Sequence, residues 1–328
     1  MRRRRYFWFL LLIAPCAAWG QQLPQYSLYM LNPYAYNPAY AGTAGTLLAH
    51  GAYRQQWSGL AGAPESQYLD AHVPMAFLRG GAGIRLENDK IGVHRTTRAV
   101  LHYAYHLDIG RTGLLSVGVG AGYVQYALDG DKVRTPDGVY EPGGSFTHND
   151  PLFPEGKVVG GAPSVEMGIF FRQQQFELGA ALMPAYAPVL SITDQGRFRV
   201  RLVPQYVGTG AYRISVSNQL TFVPSFLLKF DPAATQVEIS GVFRWRENTF
   251  AGSSFRGLAS AARDALALFG GFRITEKILF AYSYDIPLSS LANAHRGSHE
   301  LLIRYDLGKP VGAGRLPPVI YNPRFPGI

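Results

Sequence analysis

The residues best placed for chemistry stand near the C-terminal end, where His295-Arg296-Gly297-Ser298-His299 sets a hydroxyl beside an imidazole. A Ser–His pair in which the ring takes the hydroxyl proton would suit a lipid hydrolase. Successive residues of a strand point to opposite faces, so Ser298 and His299 cannot pair directly in an extended segment. No G-x-S-x-G elbow occurs. His102 and His106 share one face of an extended segment but stand ~13 Å apart along it, too far for one metal ion. They read as inward-facing residues bonded to neighbouring Arg or Asp. Gly118-x-Gly120-x-Gly122 lacks the helix and βαβ setting of a dinucleotide loop and instead makes a flat wall or room for something to pack. Asp129, Asp131 and Asp137 lack the spacing of an EF-hand. The sequence therefore nominates no catalytic residue, no metal ligand and no cofactor, and predicts a protein that is not an enzyme.

The elements that would position these residues are strands. Only 16% of the 328 residues are charged, 13% are aromatic and 37 are Gly, which excludes disorder and heptad helices. After Gly20 no apolar stretch reaches 18 residues, so no helical span is predicted. Period-2 alternation recurs instead. Leu115, Val117, Val119, Ala121 and Tyr123 oppose Ser116, Gly118, Gly120 and Gly122, and Leu301, Ile303 and Tyr305 oppose Glu300, Arg304 and Asp306.

The alternation places fourteen strands at 47–57, 66–74, 79–87, 97–108, 112–127, 163–172, 175–184, 203–214, 219–230, 235–245, 248–256, 265–274, 277–286 and 297–307. Connections alternate between tight turns (75–78, 109–111, 173–174, 215–218, 246–247, 275–276) and longer loops (58–65, 88–96, 128–162, 185–202, 257–264, 287–296), with 231–234 as the exception. Segments of about ten residues, an even count and this alternation predict an all-β transmembrane outer-membrane barrel of about 14 antiparallel strands. Both termini would then be periplasmic. In such a barrel Arg at the lipid-facing Ile303 or Leu228 should be costly, and Arg at the inward Gly120 milder unless the lumen is filled.

Residues 1–20 read as a signal peptide, with Arg2 to Arg5, the apolar run Phe7 to Ile13, and Ala18-Trp19-Gly20 before the cut. Pro15 before Cys16 argues against a lipid-modified cysteine. Cleavage removes the only Cys and four of the 31 basic residues, leaving 27 against 22 acidic, a net charge of +5. No basic run is interleaved with aromatics, so no nucleic-acid partner is expected. The remaining chain divides into a periplasmic or plug segment at 21–46, a β-barrel at 47–307 and a Pro-rich tail at 308–328.

Several motifs follow one another in order. Gln25-Tyr26-Ser27-Leu28-Tyr29-Met30-Leu31-Asn32 precedes Tyr36-Asn37-Pro38-Ala39-Tyr40-Ala41-Gly42. Next come Tyr53-Arg54-Gln55-Gln56-Trp57-Ser58-Gly59, Gly62-Ala63-Pro64-Glu65-Ser66-Gln67 and Asn88-Asp89-Lys90-Ile91-Gly92. Pro224-Ser225-Phe226-Leu227-Leu228-Lys229, Ala281-Tyr282-Ser283-Tyr284-Asp285 and Gly297-Ser298-His299-Glu300 complete the set. Together they closely resemble the PorP/SprF family of outer-membrane proteins associated with type IX secretion and gliding motility in Bacteroidota.

The resemblance implies a barrel that assists secretion or surface anchoring of an adhesin-like cargo and links it to periplasmic machinery. Its partners would be outer-membrane lipid, type IX secretion components and the cargo. It points to Asn32, Asn37, Pro38, Ala39, Tyr40, Gly42, Trp57, Pro64, Glu65, Asn88, Asp89, Lys90, Gly297, Ser298, His299 and Glu300 as partner-binding candidates, although turn-setting Asn-Pro and Gly positions explain many of them structurally. The alternative reading is a porin or small-molecule channel, suggested by the lumen-facing charges Arg98, Asp108, Glu238, Arg244, Arg304 and Asp306.

Overall fold

The computed structural model describes residues 24–141, 146–150, 153–191, 199–232, 234–257, 265–288, 295–309 and 311. The signal-peptide reading and most of the Pro-rich tail lie outside them. Among the described residues no helix is long and apolar enough to cross a membrane, and the chain crosses with strands.

Fourteen antiparallel strands form the wall: β1 Leu48–Gln55, β2 Glu65–Met75, β3 Gly80–Ile91, β4 His94–Ile109, β5 Gly113–Asp129, β6 Lys157–Gln173 and β7 Phe176–Leu182. They continue as β8 Tyr206–Tyr212 with its extension Ile214–Ser215, β9 Leu220–Phe230, β10 Thr235–Trp245, β11 Thr249–Arg256, β12 Ala265–Arg273, β13 Ile278–Pro287 and β14 Ser298–Asp306. Each strand pairs with its neighbours in sequence. The sheet closes where β1 meets β14, in the register Leu48↔Asp306 to Gln55↔His299. Closure leaves no free edge, as lipid requires.

The pleat explains the two faces. Leu69, Ile84, Leu101, Val119, Ile169, Ile239, Leu268 and Ile303 point outward as an apolar band. Tyr105, Phe176, Tyr212, Trp245 and Phe272 ring the tight-turn end, while Tyr53, Tyr123, Tyr206, Phe230 and Tyr282 lie toward the other, the aromatic girdles of a membrane barrel. The alternate residues point inward and mix polar and charged side chains with apolar ones such as Val242, Leu279 and Leu302.

Strand positions agree with the sequence reading apart from their ends. One connection does not: 88–96 is no outer loop. β3 and β4 continue to Ile91 and His94, pairing Asn88↔Thr97, Asp89↔Thr96 and Lys90↔Arg95, and Gly92 at φ 58° turns the chain. The polar residues there signal a hairpin that outruns the apolar band, and pairing continues without lipid. β6 likewise starts six residues earlier than expected, at Lys157. The loops after β5 and β7 carry small ladders of their own, Val139–Tyr140 with Phe146–Thr147 and Val189–Ser191 with Arg199–Arg201.

Candidate functional site

The lumen is occupied by the chain's own N-terminal segment. Three 3-10 turns, Tyr29–Leu31, Pro33–Tyr36 and Pro38–Tyr40, run down the barrel before β1. Asn-Pro pairs build the second and third: each Pro opens its turn, where its missing N–H costs nothing. Asn37 caps the third turn by accepting from the Ala39 amide at 2.9 Å, and its Nδ2 donates to the Ile169 carbonyl at 2.9 Å. The segment's first described residues lie beside Lys229 and Glu238, toward the long-loop end. Its base, Thr43, meets Arg172 at the tight-turn end. The N-terminal end of the described chain therefore stands inside the barrel, whereas the last strand ends at the tight-turn mouth.

Buried charge fixes this plug. Arg54 donates to Asp285 at 2.6 Å and to Glu300 at 3.1 Å. Arg256 donates to Glu238 at 2.9 Å and to Asp285 at 3.2 Å. Ser27 sits in their midst: its amide donates to Glu300 at 2.6 Å, its hydroxyl to Asp285 at 2.7 Å, and its oxygen accepts from both arginines at 2.9 Å. A second network lies lower. Asn32 Nδ2 donates to Asp70 at 2.6 Å, and His50 contacts the other Asp70 oxygen at 2.8 Å. Tyr34 bonds His102 Nδ1 at 2.6 Å, His102 Nε2 lies 3.0 Å from Glu166, and Arg85 pairs with the same carboxylate. His102 thus uses a Glu and a Tyr rather than the Arg or Asp expected, and His106 bonds the Ala41 carbonyl at 2.9 Å. Burial pushes up the phenols of Tyr26, Tyr34 and Tyr36, which lie outside the strands.

The glycine row on β5 is part of this packing. A Cβ at Gly118 would lie 2.3 Å from the Ala39 nitrogen, so the third turn sits flush on the wall. Gly42, at φ 74°, passes equally close to Gly81.

A second cluster knits the long-loop rim. The Ser58 amide donates to the Gly297 carbonyl at 2.8 Å, the Arg296 amide to the Ser58 carbonyl at 2.8 Å, and the Gly92 amide to the Gly62 carbonyl at 2.9 Å. The Trp57 amide donates to Ser298 Oγ at 3.2 Å. The loop 56–64 is therefore tied to both neighbouring connections.

A sequence profile described as type IX secretion system membrane protein PorP/SprF matches residues 18–305. The chain belongs to the PorP/SprF family. Its outer-membrane barrel and this membership make it a type IX secretion system membrane protein of the outer membrane. No curated protein matches the sequence. Among solved structures, the chain is similar to the CymD monoaromatic hydrocarbon channel (10% identity, TM-score 0.46, over 84% of this chain and 90% of that one). It is also similar to Acinetobacter baumannii Omp33 (7%, 0.42, 80% and 97%) and to a Pseudomonas aeruginosa FadL homologue (11%, 0.42, 80% and 89%). At TM-scores below 0.5 no property of those proteins passes to this one.

The PorP/SprF motif residues fall into two groups. Asn32, Asn37, Pro38, Ala39, Tyr40, Gly42 and Glu300 belong to the plug and its anchorage, with the Tyr40 ring tilted against Phe170 at 4.5 Å and its hydroxyl donating to Glu177 at 3.0 Å. Trp57, Pro64, Glu65, Asn88, Asp89, Lys90, Gly297, Ser298 and His299 stand around the rim. There Pro64 accepts from the Gln56 amide at 2.9 Å, Glu65 pairs in register with Lys90, Asp89 accepts from Ser66 at 2.5 Å and Asn88 accepts from Thr97 at 3.3 Å. Gly297 has φ 89°. Ser298 points inward, while His299 bonds Tyr282 at 2.7 Å on the outer side, so the two do not meet as nucleophile and base.

Sequence reading missed Arg54, Arg85, Glu166 and Arg256 as a set. The available signal was a charged residue on the inward parity of a strand, where a buried charge demands a partner.

Proposed function

We propose that this barrel is a non-enzymatic interaction protein that assists type IX secretion or surface anchoring of a cargo such as an adhesin. The tight-turn end faces the periplasmic machinery, and the long-loop end faces out. The observation that carries this reading is the filled lumen. A barrel whose inward ion pairs are hydrogen-bonded to its own N-terminal segment works through its two ends rather than as a conduit. Short turns at one end and longer loops at the other support the orientation, and the rim residues Trp57, Lys90 and His299 offer surface for cargo. The same plug weighs against the porin reading.

The test is deletion of the gene followed by secretome and surface-protein analysis, beside mass spectrometry of what co-purifies with the tagged barrel in mild detergent. Loss of one large surface protein from the cell surface, and its recovery with type IX components, is the expected result. Unchanged secretion, display and spreading would overturn the reading. Conductance in planar bilayers would favour the channel instead.

A further inference from the structure

The inward positions nearest the tight turns carry charges that the plug does not use. Arg213, Arg244, Arg273 and Arg304 continue the inward parity at the tight-turn ends of β8, β10, β12 and β14. They act on one another: Arg244 feels the charge of Arg213, and Arg304 feels those of Arg244 and Arg273.

Two carboxylates stand among them. Glu247 is shared between Arg213 at 3.5 Å and Arg244 at 3.7 Å, longer than a strong charge-assisted bond. Asp306 neighbours Arg304 but accepts the Gly308 amide at 2.8 Å. Four guanidiniums therefore face two carboxylates. The Nε–H groups of Arg244 and Arg304 are buried without an acceptor. Arg54 and Arg85 also leave Nε unbonded, but carboxylates engage their terminal nitrogens. Arg304 donates to no described residue. A buried donor without an acceptor is costly, and here two persist beside like charges at a mouth open to solvent.

Among the described residues nothing closes the mouth. The turns around it, such as 216–219, 246–248 and 274–277, are too short to fold across it, and the Arg213 and Glu247 side chains are 52% and 53% exposed. We propose that this arginine patch binds an acidic peptide segment of a partner protein. The planar guanidinium fork matches a carboxylate, and a patch turned into the lumen mouth is shielded from lipid headgroups. The proposal rests on the interaction reading above and gives one partner its chemistry.

The test uses the purified full-length protein in detergent micelles and a fluorescein-labelled hexa-aspartate peptide, read by fluorescence anisotropy at low salt. Saturable binding is expected, weakening as salt rises and by about tenfold or more in the Arg244→Gln/Arg304→Gln double variant. Lys132→Gln, on an exposed loop at the other end, should leave binding unchanged. Heat-modified gel mobility checks folding. Arg273→Gln, at a partly exposed strand end, supplies a second variant with a smaller loss should the double variant not fold. No binding by the wild type, equal binding by the folded variants, or full displacement by inorganic phosphate at equal charge would overturn the proposal. Because binding is read on the isolated protein, its failure leaves the secretion reading standing, and a silent gene deletion leaves the binding result standing.

Discussion

The barrel interior and its tight-turn mouth are both lined by arginines, yet they treat charge in opposite ways. Inside, Arg54 and Arg256 are closed off by Asp285, Glu238 and Glu300 with Ser27 between them. At the mouth, Arg244 and Arg304 keep buried donors unbonded and have one another as neighbours. Pairing holds a structure together, because removing one partner strands the other in a dry site. Loosely paired cations add little to the fold and remain available to something else. The contrast separates residues that keep the plug in place from residues free to bind.

Breaking the interior should have the largest effect. Arg54→Met leaves Asp285 and Glu300 short of a partner and should cost about 3–5 kcal/mol, read as a lowered urea midpoint for loss of the folded gel band. Next comes the wall. Ile303→Arg near mid-membrane should cost about 2–4 kcal/mol, and Gly120→Arg should be no milder, because its Cβ would lie 2.4 Å from the His102 ring. A well-tolerated Gly120→Arg would mean that the lumen leaves room beside His102. Gly118→Val presses on Ala39 and should cost about 1–3 kcal/mol by overpacking. Limited proteolysis should then cut within residues 24–46 while the strands stay protected. The smallest effect belongs to the mouth: Arg304→Gln should change stability by no more than about 0.5 kcal/mol on the same urea titration. A large loss there would show that the mouth arginines hold the fold after all.

The wall was legible because period-2 alternation is a local property. Leu115 to Tyr123 and Leu301 to Tyr305 declare their faces without knowledge of their neighbours. Turn types were nearly as readable, except at Gly92, where polar Asn88 to Lys90 imitated a loop while continuing a strand. The plug's contents were not legible. Arg54 could be read as inward-facing, but not that Asp285, 231 residues away, would meet it. Nor could Gly118 be read as a seat for Ala39 rather than a flat wall. Partners in a lumen are set by barrel closure and shear, which join distant strands, and no window along one sequence contains both members of such a pair. The family motif residues divide between plug and rim, a split that only the folded barrel reveals.

The seam between β1 and β14 carries more than hydrogen bonds. Arg54 and Glu300 are direct cross-strand partners there, and the Ser27 amide reaches that same carboxylate. A one-residue slip in closure would turn one of the two side chains to lipid and leave Ser27 without its acceptor. The N-terminal segment thus inspects the closing seam: a misregistered barrel would have an unlatched N-terminal segment, exposed to whatever proteases clear failed assemblies.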